Sequence, residues 1–240
     1  MLYLIGIGLW DEKDISIKAL EAIKRSKKVY LENYTSKLSC SQKKLERLYK
    51  KKIILANRDL VESSTNNILD EAKKSNVAFL VIGDIFSATT HIDLFLQAKK
   101  LKIKTEIIHN ASVITAVSDT GLEIYKFGKT TSIPFNNENI KTPIEVFKAN
   151  QKSNLHTLFL LDLDPENNKF MTAQEAASYL IKNGIDENEK AVACGALGSP
   201  SPEIKYDKLK NIKIKKLPQC LIIPAKNLHF KEEEALALWK

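Results

Sequence analysis

Apolar positions along the chain fall into short runs separated by amphipathic stretches. Residues 2–9 are an apolar run broken by Gly6 and Gly8, which predicts a buried strand ending in a turn. Over residues 16–27, Ile17, Leu20 and Ile23 recur at three-residue spacing with Ala19 and Ala22 between them, as on one face of a helix. Residues 29–31 and 53–55 are strand candidates, with a helix over 41–49 between them. A helix over 66–75 leads into residues 77–82, an unbroken apolar run that suits a central parallel strand buried on both faces. A helix over 91–101 and a strand over 105–109 follow. This alternation predicts an α/β unit with a mostly parallel sheet.

Beyond about Thr120 the pattern restarts. Strands are expected over 157–163, 191–197 and 221–223, a helix over 172–183, and an exposed loop over the asparagine-rich residues 135–141. The domain boundary is placed between Ser118 and Tyr125. The expected organisation is an N-terminal α/β domain over 1–120 and a C-terminal α/β domain over 121–240, with mostly parallel or mixed sheets. No internal repeat is visible.

Composition adds little to the fold and more to the exclusions. At 44% hydrophobic and 28% charged residues the chain has a globular profile, not that of a disordered or fibrous one. No apolar run is long enough to span a membrane, and the N-terminus reads as a strand and not as a signal peptide. Cys40, Cys194 and Cys220 are far apart in sequence and odd in number, so neither a disulfide framework nor a CxxC metal site can be drawn from them. An intracellular location is expected. The net charge of +8 comes almost wholly from lysine, with only Arg25, Arg47 and Arg58 as arginines. Arginine is the better residue for bidentate phosphate and base recognition, so a nucleic-acid partner is weakly supported, and a solvated lysine-rich surface reads better.

Four segments could carry chemistry. Gly6-Ile7-Gly8 ends the first strand, where glycine permits a sharp turn, but the residues that follow do not complete a dinucleotide fingerprint. Gly83-Asp84 and the run through Ser87, Thr89, Thr90 and His91 follow the buried strand, at the carboxyl end where ligands bind in open parallel sheets. Thr89 or Thr90 can cap the next helix there, and the residues alone weigh ligand binding and loop structure equally. His109-Asn110-Ala111-Ser112-Val113 ends another strand, with Ser112 better read as an N-cap than as a ligand contact. His156 opens the 157–163 run and reads as a surface or hydrogen-bonded histidine. The four histidines lack metal spacing, and neither a GxSxG elbow nor a P-loop is present.

Together these segments resemble the diphthine synthases. The resemblance is carried by Ile5-Gly-Ile-Gly-Leu-Trp-Asp-Glu-Lys-Asp14, Glu32-Asn-Tyr-Thr-Ser36, Gly83-Asp84 with Ala88-Thr-Thr-His91, and Gly121-Leu-Glu-Ile-Tyr-Lys-Phe-Gly128. His156-Thr-Leu with Leu161-Asp162, and Met171-Thr-Ala with Glu175-Ala176, complete it in the same order over nearly the whole chain. The opening Gly-x-Gly and the Gly-Asp are shared more widely with the tetrapyrrole methylases, whose fold that family adopts. The resemblance implies a two-domain, usually homodimeric protein that holds S-adenosylmethionine between its domains. It also implies a cytoplasmic methyltransferase acting on the amino group of a modified histidine in elongation factor 2, a step toward diphthamide. The compact chain looks more like the archaeal form, which stops at the trimethylammonium. Neither a membrane nor a nucleic acid is expected as a partner.

Carried over by position, the cofactor contacts implied are Leu9, Asp84, Ser87, Ser112, Val113, Leu161, Leu197 and Gln219. Two positions depart from the family. Pro218-Gln219 stands where Pro-His is usual, a change that a backbone contact would survive, and Ile85 replaces the proline that commonly follows Gly-Asp. No residue is identified as a catalytic base. The competing readings are a tetrapyrrole methyltransferase of the same fold, which the scarcity of arginine argues against, and a basic RNA- or ribosome-binding module without catalysis.

Overall fold

The apolar runs of the first half become five strands: β1 (Leu2–Gly6), β2 (Lys28–Glu32), β3 (Ile54–Ala56), β4 (Val77–Val81) and β5 (Thr105–Ile108). In the computed structural model, which describes residues 1–58, 60–61, 66–165 and 167–240, they form one parallel sheet in the order β3-β2-β4-β1-β5. Between them run α1 (Ile17–Arg25), α2 (Gln42–Tyr49), α3 (Asn66–Lys74) and α4 (Ile92–Lys100). Strand residues alternate between the two faces. Tyr3, Ile5, Val29, Leu31, Ala78 and Leu80 pack with Ala19, Ala22 and Ile23 of α1 and Leu45 and Tyr49 of α2. Leu2, Leu4, Tyr30, Val77, Phe79 and Val81 pack with Ile68, Leu69 and Ala72 of α3 and Leu94 and Ala98 of α4. Both faces are covered, which is why β1 and β4 are continuously apolar.

The chain divides into two compact units, Met1–Ile114 and Thr115–Lys240. The division precedes the expected 118–125 segment and falls within the short helix α5 (Val113–Ala116). Residues just beyond it are held by the C-terminal unit: Trp239 Nε1 donates to the Thr120 carbonyl.

That unit is built on a mixed sheet in the order β11-β10-β12-β7-β6. The strands are β6 (Thr131–Ile133), β7 (Thr157–Leu161), β10 (Lys190–Gly195), β11 (Glu203–Lys208) and β12 (Gln219–Ile223). Only β6 and β7 pair in parallel. The hairpin β8 (Leu163–Asp164) and β9 (Lys169–Phe170) stands apart from the sheet. Helices α6 (Thr142–Lys152) and α7 (Ala173–Lys182) bury Ile144, Phe147, Ala176 and Leu180 against Phe159, Ala191, Ala193 and Leu221, and α8 (Phe230–Ala237) closes the chain. Cys194 and Cys220, distant in sequence, are register partners on β10 and β12 as free, buried thiols.

Two local expectations change. The buried face of α1 is Ala19, Ala22 and Ile23, while Ile17 is 80% exposed because it opens the helix ahead of the turn that reaches the sheet. Neither Thr89 nor Thr90 caps α4. His91 occupies that position without a side-chain cap, and the Thr89 hydroxyl donates back to the Ile85 carbonyl at 2.6 Å. No helix among the described residues is long and apolar enough to cross a membrane.

Candidate active site

In the N-terminal unit the loops leaving β1, β4 and β5 meet at the carboxyl edge of the sheet. Gly8 and Gly83 form an antiparallel bridge, with Gly83 N donating to Gly8 O at 2.7 Å and Gly8 N to Gly83 O at 3.3 Å. Both have φ +85°, a conformation that glycine adopts without strain. A Cβ on Gly6 would sit 2.6 Å from Gly83 O, so the two loops can cross only where that side chain is absent. Asp14 clamps the turn after β1, its Oδ2 accepting from Leu9 N at 3.0 Å and Trp10 N at 2.6 Å.

Asp84 is the hub of this edge. Its Oδ1 accepts from Phe86 N at 3.1 Å and from Ser87 Oγ at 3.0 Å. Its Oδ2 accepts from Asn110 N at 3.1 Å and pairs with His109 Nδ1 at 2.8 Å. Burial opposes ionisation, but the Phe86 amide, the His109 ring, the Asn110 amide and the Ser87 hydroxyl together hold this carboxyl below its ordinary value. Asn110 completes the joint, donating to Gly6 O at 3.2 Å and to Asp14 O at 3.0 Å. Ser112 Oγ accepts from Ile114 N at 3.1 Å at the start of α5, as its N-cap reading expects.

The structure therefore gathers Leu9, Asp84, Ser87, Ser112 and Val113 at one sheet edge. A Cβ on Gly83 would make ordinary contacts with Ala111 O at 3.8 Å and Leu9 Cδ2 at 3.9 Å, so the φ of +85° and not crowding is what favours glycine there. The Asp84 carboxylate and the Leu9 amide are already engaged within these loops.

In the C-terminal unit Leu161, Leu197 and Gln219 also converge. Leu161 ends β7 and Gln219 opens the antiparallel β12 beside it, where Gln219 pairs in register with Gly195 of β10. Leu197 follows β10 by two residues and is buried. The Gln219 amide is tied at both ends, Oε1 accepting from Ala173 N at 2.7 Å and Nε2 donating to Ile214 O at 3.2 Å.

Sequence reasoning missed Asp14, His109 and Asn110 as site residues. Asp14 clamps its own loop through the Leu9 and Trp10 amides, whereas His109 and Asn110 meet Asp84 and Gly6 only because the strand order brings those loops together. His156, by contrast, is a fully buried hydrogen-bonded histidine and no surface residue. Its Nδ1 accepts from Ala225 N at 2.9 Å, so Nε2 carries the proton donated to Glu232 at 2.8 Å. The Glu232 carboxylate also takes Lys126 and the amides of Glu123 and His229, anchoring α8. His91 is buried with neither ring nitrogen partnered, and burial pushes its pKa down to about 4.

The family model of the Tetrapyrrole (Corrin/Porphyrin) Methylases matches residues 1–213. A diphthine synthase of Methanococcus maripaludis is 41% identical over 98% of this chain and 97% of its own. One from Methanocaldococcus jannaschii is 43% identical over 98% and 97%. A crystal structure of diphthine synthase superposes with a TM-score of 0.93 at 38% identity, covering 99% of this chain and 95% of that one. The chain belongs to the Tetrapyrrole (Corrin/Porphyrin) Methylases and, within them, to the diphthine synthases.

Proposed function

We propose that this chain transfers methyl groups from S-adenosylmethionine to the amino group of the modified histidine of elongation factor 2, giving diphthine. The observation that carries this reading is identity above 40% with diphthine synthases over nearly the full length of both chains. S-adenosylmethionine supplies a methyl group on a sulfonium, and an amine that attacks this methyl in line displaces the thioether without a metal or a protein nucleophile. The work left to the protein is to hold donor and acceptor in line and exclude water, which can contribute about 7–11 kcal/mol.

The residues proposed to contact the donor are Leu9, Asp84, Ser87, Ser112 and Val113 in the N-terminal unit and Leu161, Leu197 and Gln219 in the C-terminal unit. The Gly8–Gly83 bridge and the Asp84 hub make the first group rigid before the donor arrives, which lowers the entropy cost of binding. The missing side chain at Gly83 lets the donor approach the backbone closely. Gln219 serves through its main chain, since both ends of its amide are engaged. This explains how glutamine can stand where the family usually has histidine.

The partner is the folded elongation factor, and the enzyme works as a homodimer in the cytoplasm. Light scattering should then give a mass near twice 27.1 kDa. Titration with S-adenosylmethionine and S-adenosylhomocysteine tests the donor assignment. At a hundred times its dissociation constant, either ligand should stabilise the fold by about 2.7 kcal/mol. No binding of either ligand overturns the reading.

A further inference from the structure

Amine methylation at neutral pH needs a group that takes a proton from the acceptor ammonium, and the four histidines of this chain divide sharply in their capacity to do so. His91 is buried. His156 has both nitrogens engaged inside the C-terminal unit. His229 uses Nδ1 to cap α8, accepting from Lys231 N. His109 alone stands at the carboxyl edge of the parallel sheet, with its side chain 68% exposed and its Nδ1 held by Asp84.

An ionised carboxylate only accepts, so Nδ1 of His109 bears the proton and the lone pair of the neutral ring lies on Nε2. Nε2 has no hydrogen-bond partner among the described residues. Asp84 is 8% exposed and fixed by two amides and a hydroxyl, so it sets the ring's orientation. Among the described residues Asp84 is the charged side chain that pairs with the ring, and Phe86 lies edge-on at 6.5 Å. Asp14, on the loop after β1, is occupied by the Leu9 and Trp10 amides.

We propose that His109 is the general base of methyl transfer and Asp84 its positioning residue, a role that rests on the acceptor being an amine as proposed above. The Nε2 lone pair takes a proton from the acceptor ammonium. The freed nitrogen pair forms the N–C bond to the donor methyl while the C–S bond breaks, its electron pair remaining on sulfur to give the thioether. The imidazolium then releases its proton to water. Each further methylation frees one more proton, so the same base serves every round.

The test is single-turnover methyl transfer to elongation factor 2 carrying the modified histidine, comparing wild type, His109→Gln and His109→Ala from about pH 6.5 to 9.5. His109→Gln should be about 100-fold slower or worse at neutral pH. Its melting temperature and its affinity for S-adenosylmethionine should change little, because the Phe86 and Asn110 amides and the Ser87 hydroxyl still hold Asp84. The deficit should shrink as pH rises and the amine loses its proton unaided, and free imidazole should partly restore His109→Ala. A rate within about threefold of wild type at neutral pH overturns the assignment. So does a loss that is constant across pH and deaf to imidazole. Failure of the wild-type protein itself to methylate the modified factor is a separate outcome, which removes the acceptor and the base together.

Discussion

Gly8 and Gly83, on the loops leaving β1 and β4, exchange backbone hydrogen bonds and share φ +85°. A Cβ on Gly8 would lie 2.3 Å from Asp14 Cβ, the residue that holds the Leu9 and Trp10 amides. Gly8→Ala must therefore both strain the turn and displace Asp14. It should cost about 1–3 kcal/mol of stability and weaken donor binding together. Denaturant unfolding and calorimetry check this, and a variant with wild-type values in both would contradict the joint drawn here.

The N-terminal unit was the legible one because its inner strands are buried on both faces and read as unbroken apolar runs. In the C-terminal unit β11 reads Glu-Ile-Lys-Tyr-Asp-Lys at the sheet's edge, and β6 is only three residues long, so neither stood out. The α6 and α8 helices were missed as well. At the site, the glycine turns, Asp84 and Ser87 were legible, but the partners that reach Asp84 from another strand's loop were not. His109 and Asn110 are 25 and 26 positions away, and they become neighbours only because β1 lies between β4 and β5.

Gln219 ties the start of α7 to the segment before β12. Gln219→Ala leaves the Ala173 amide and the Ile214 carbonyl without their partner, and should lower unfolding free energy by about 1–3 kcal/mol. Donor affinity should fall far less than for changes at Gly8. Equilibrium unfolding paired with donor titration decides this, and an unaltered stability would show that the amide does not bear this role.

Buried without partners, His91 stays neutral down to about pH 4, whereas an unfolded histidine titrates near 6.5. Between these values the unfolded chain binds more protons, so stability falls as pH is lowered through that window, by about 3 kcal/mol in full. His91→Leu should flatten this part of the profile and be no less stable at pH 7, since no hydrogen bond is lost. Unfolding curves from pH 4 to 7 that keep the wild-type slope in the variant would refute this.

Glu232 acts in the same direction but at lower pH. Burial opposes its ionisation, yet Lys126, the Glu123 and His229 amides and His156 hold it ionised down to about 2, against an ordinary 4.5. Its contribution is complete above the ordinary value and lost as pH falls toward 2. Glu232→Ala strands the buried His156 donor and Lys126, and should cost about 3–5 kcal/mol at neutral pH. Loss of protection at the α8 amides in hydrogen exchange should accompany it. A variant as stable as wild type would contradict the anchor.

The most direct measurement incubates the protein and labelled S-adenosylmethionine with elongation factor 2 bearing the aminocarboxypropyl-histidine, alongside a short peptide carrying the same residue. Remote contacts with the folded factor supply positioning energy, so the peptide should react far more slowly. Mass spectrometry should find methyl groups added to that one histidine, up to the trimethylammonium. Label appearing in a tetrapyrrole or in RNA, with the modified factor untouched, would contradict the assignment.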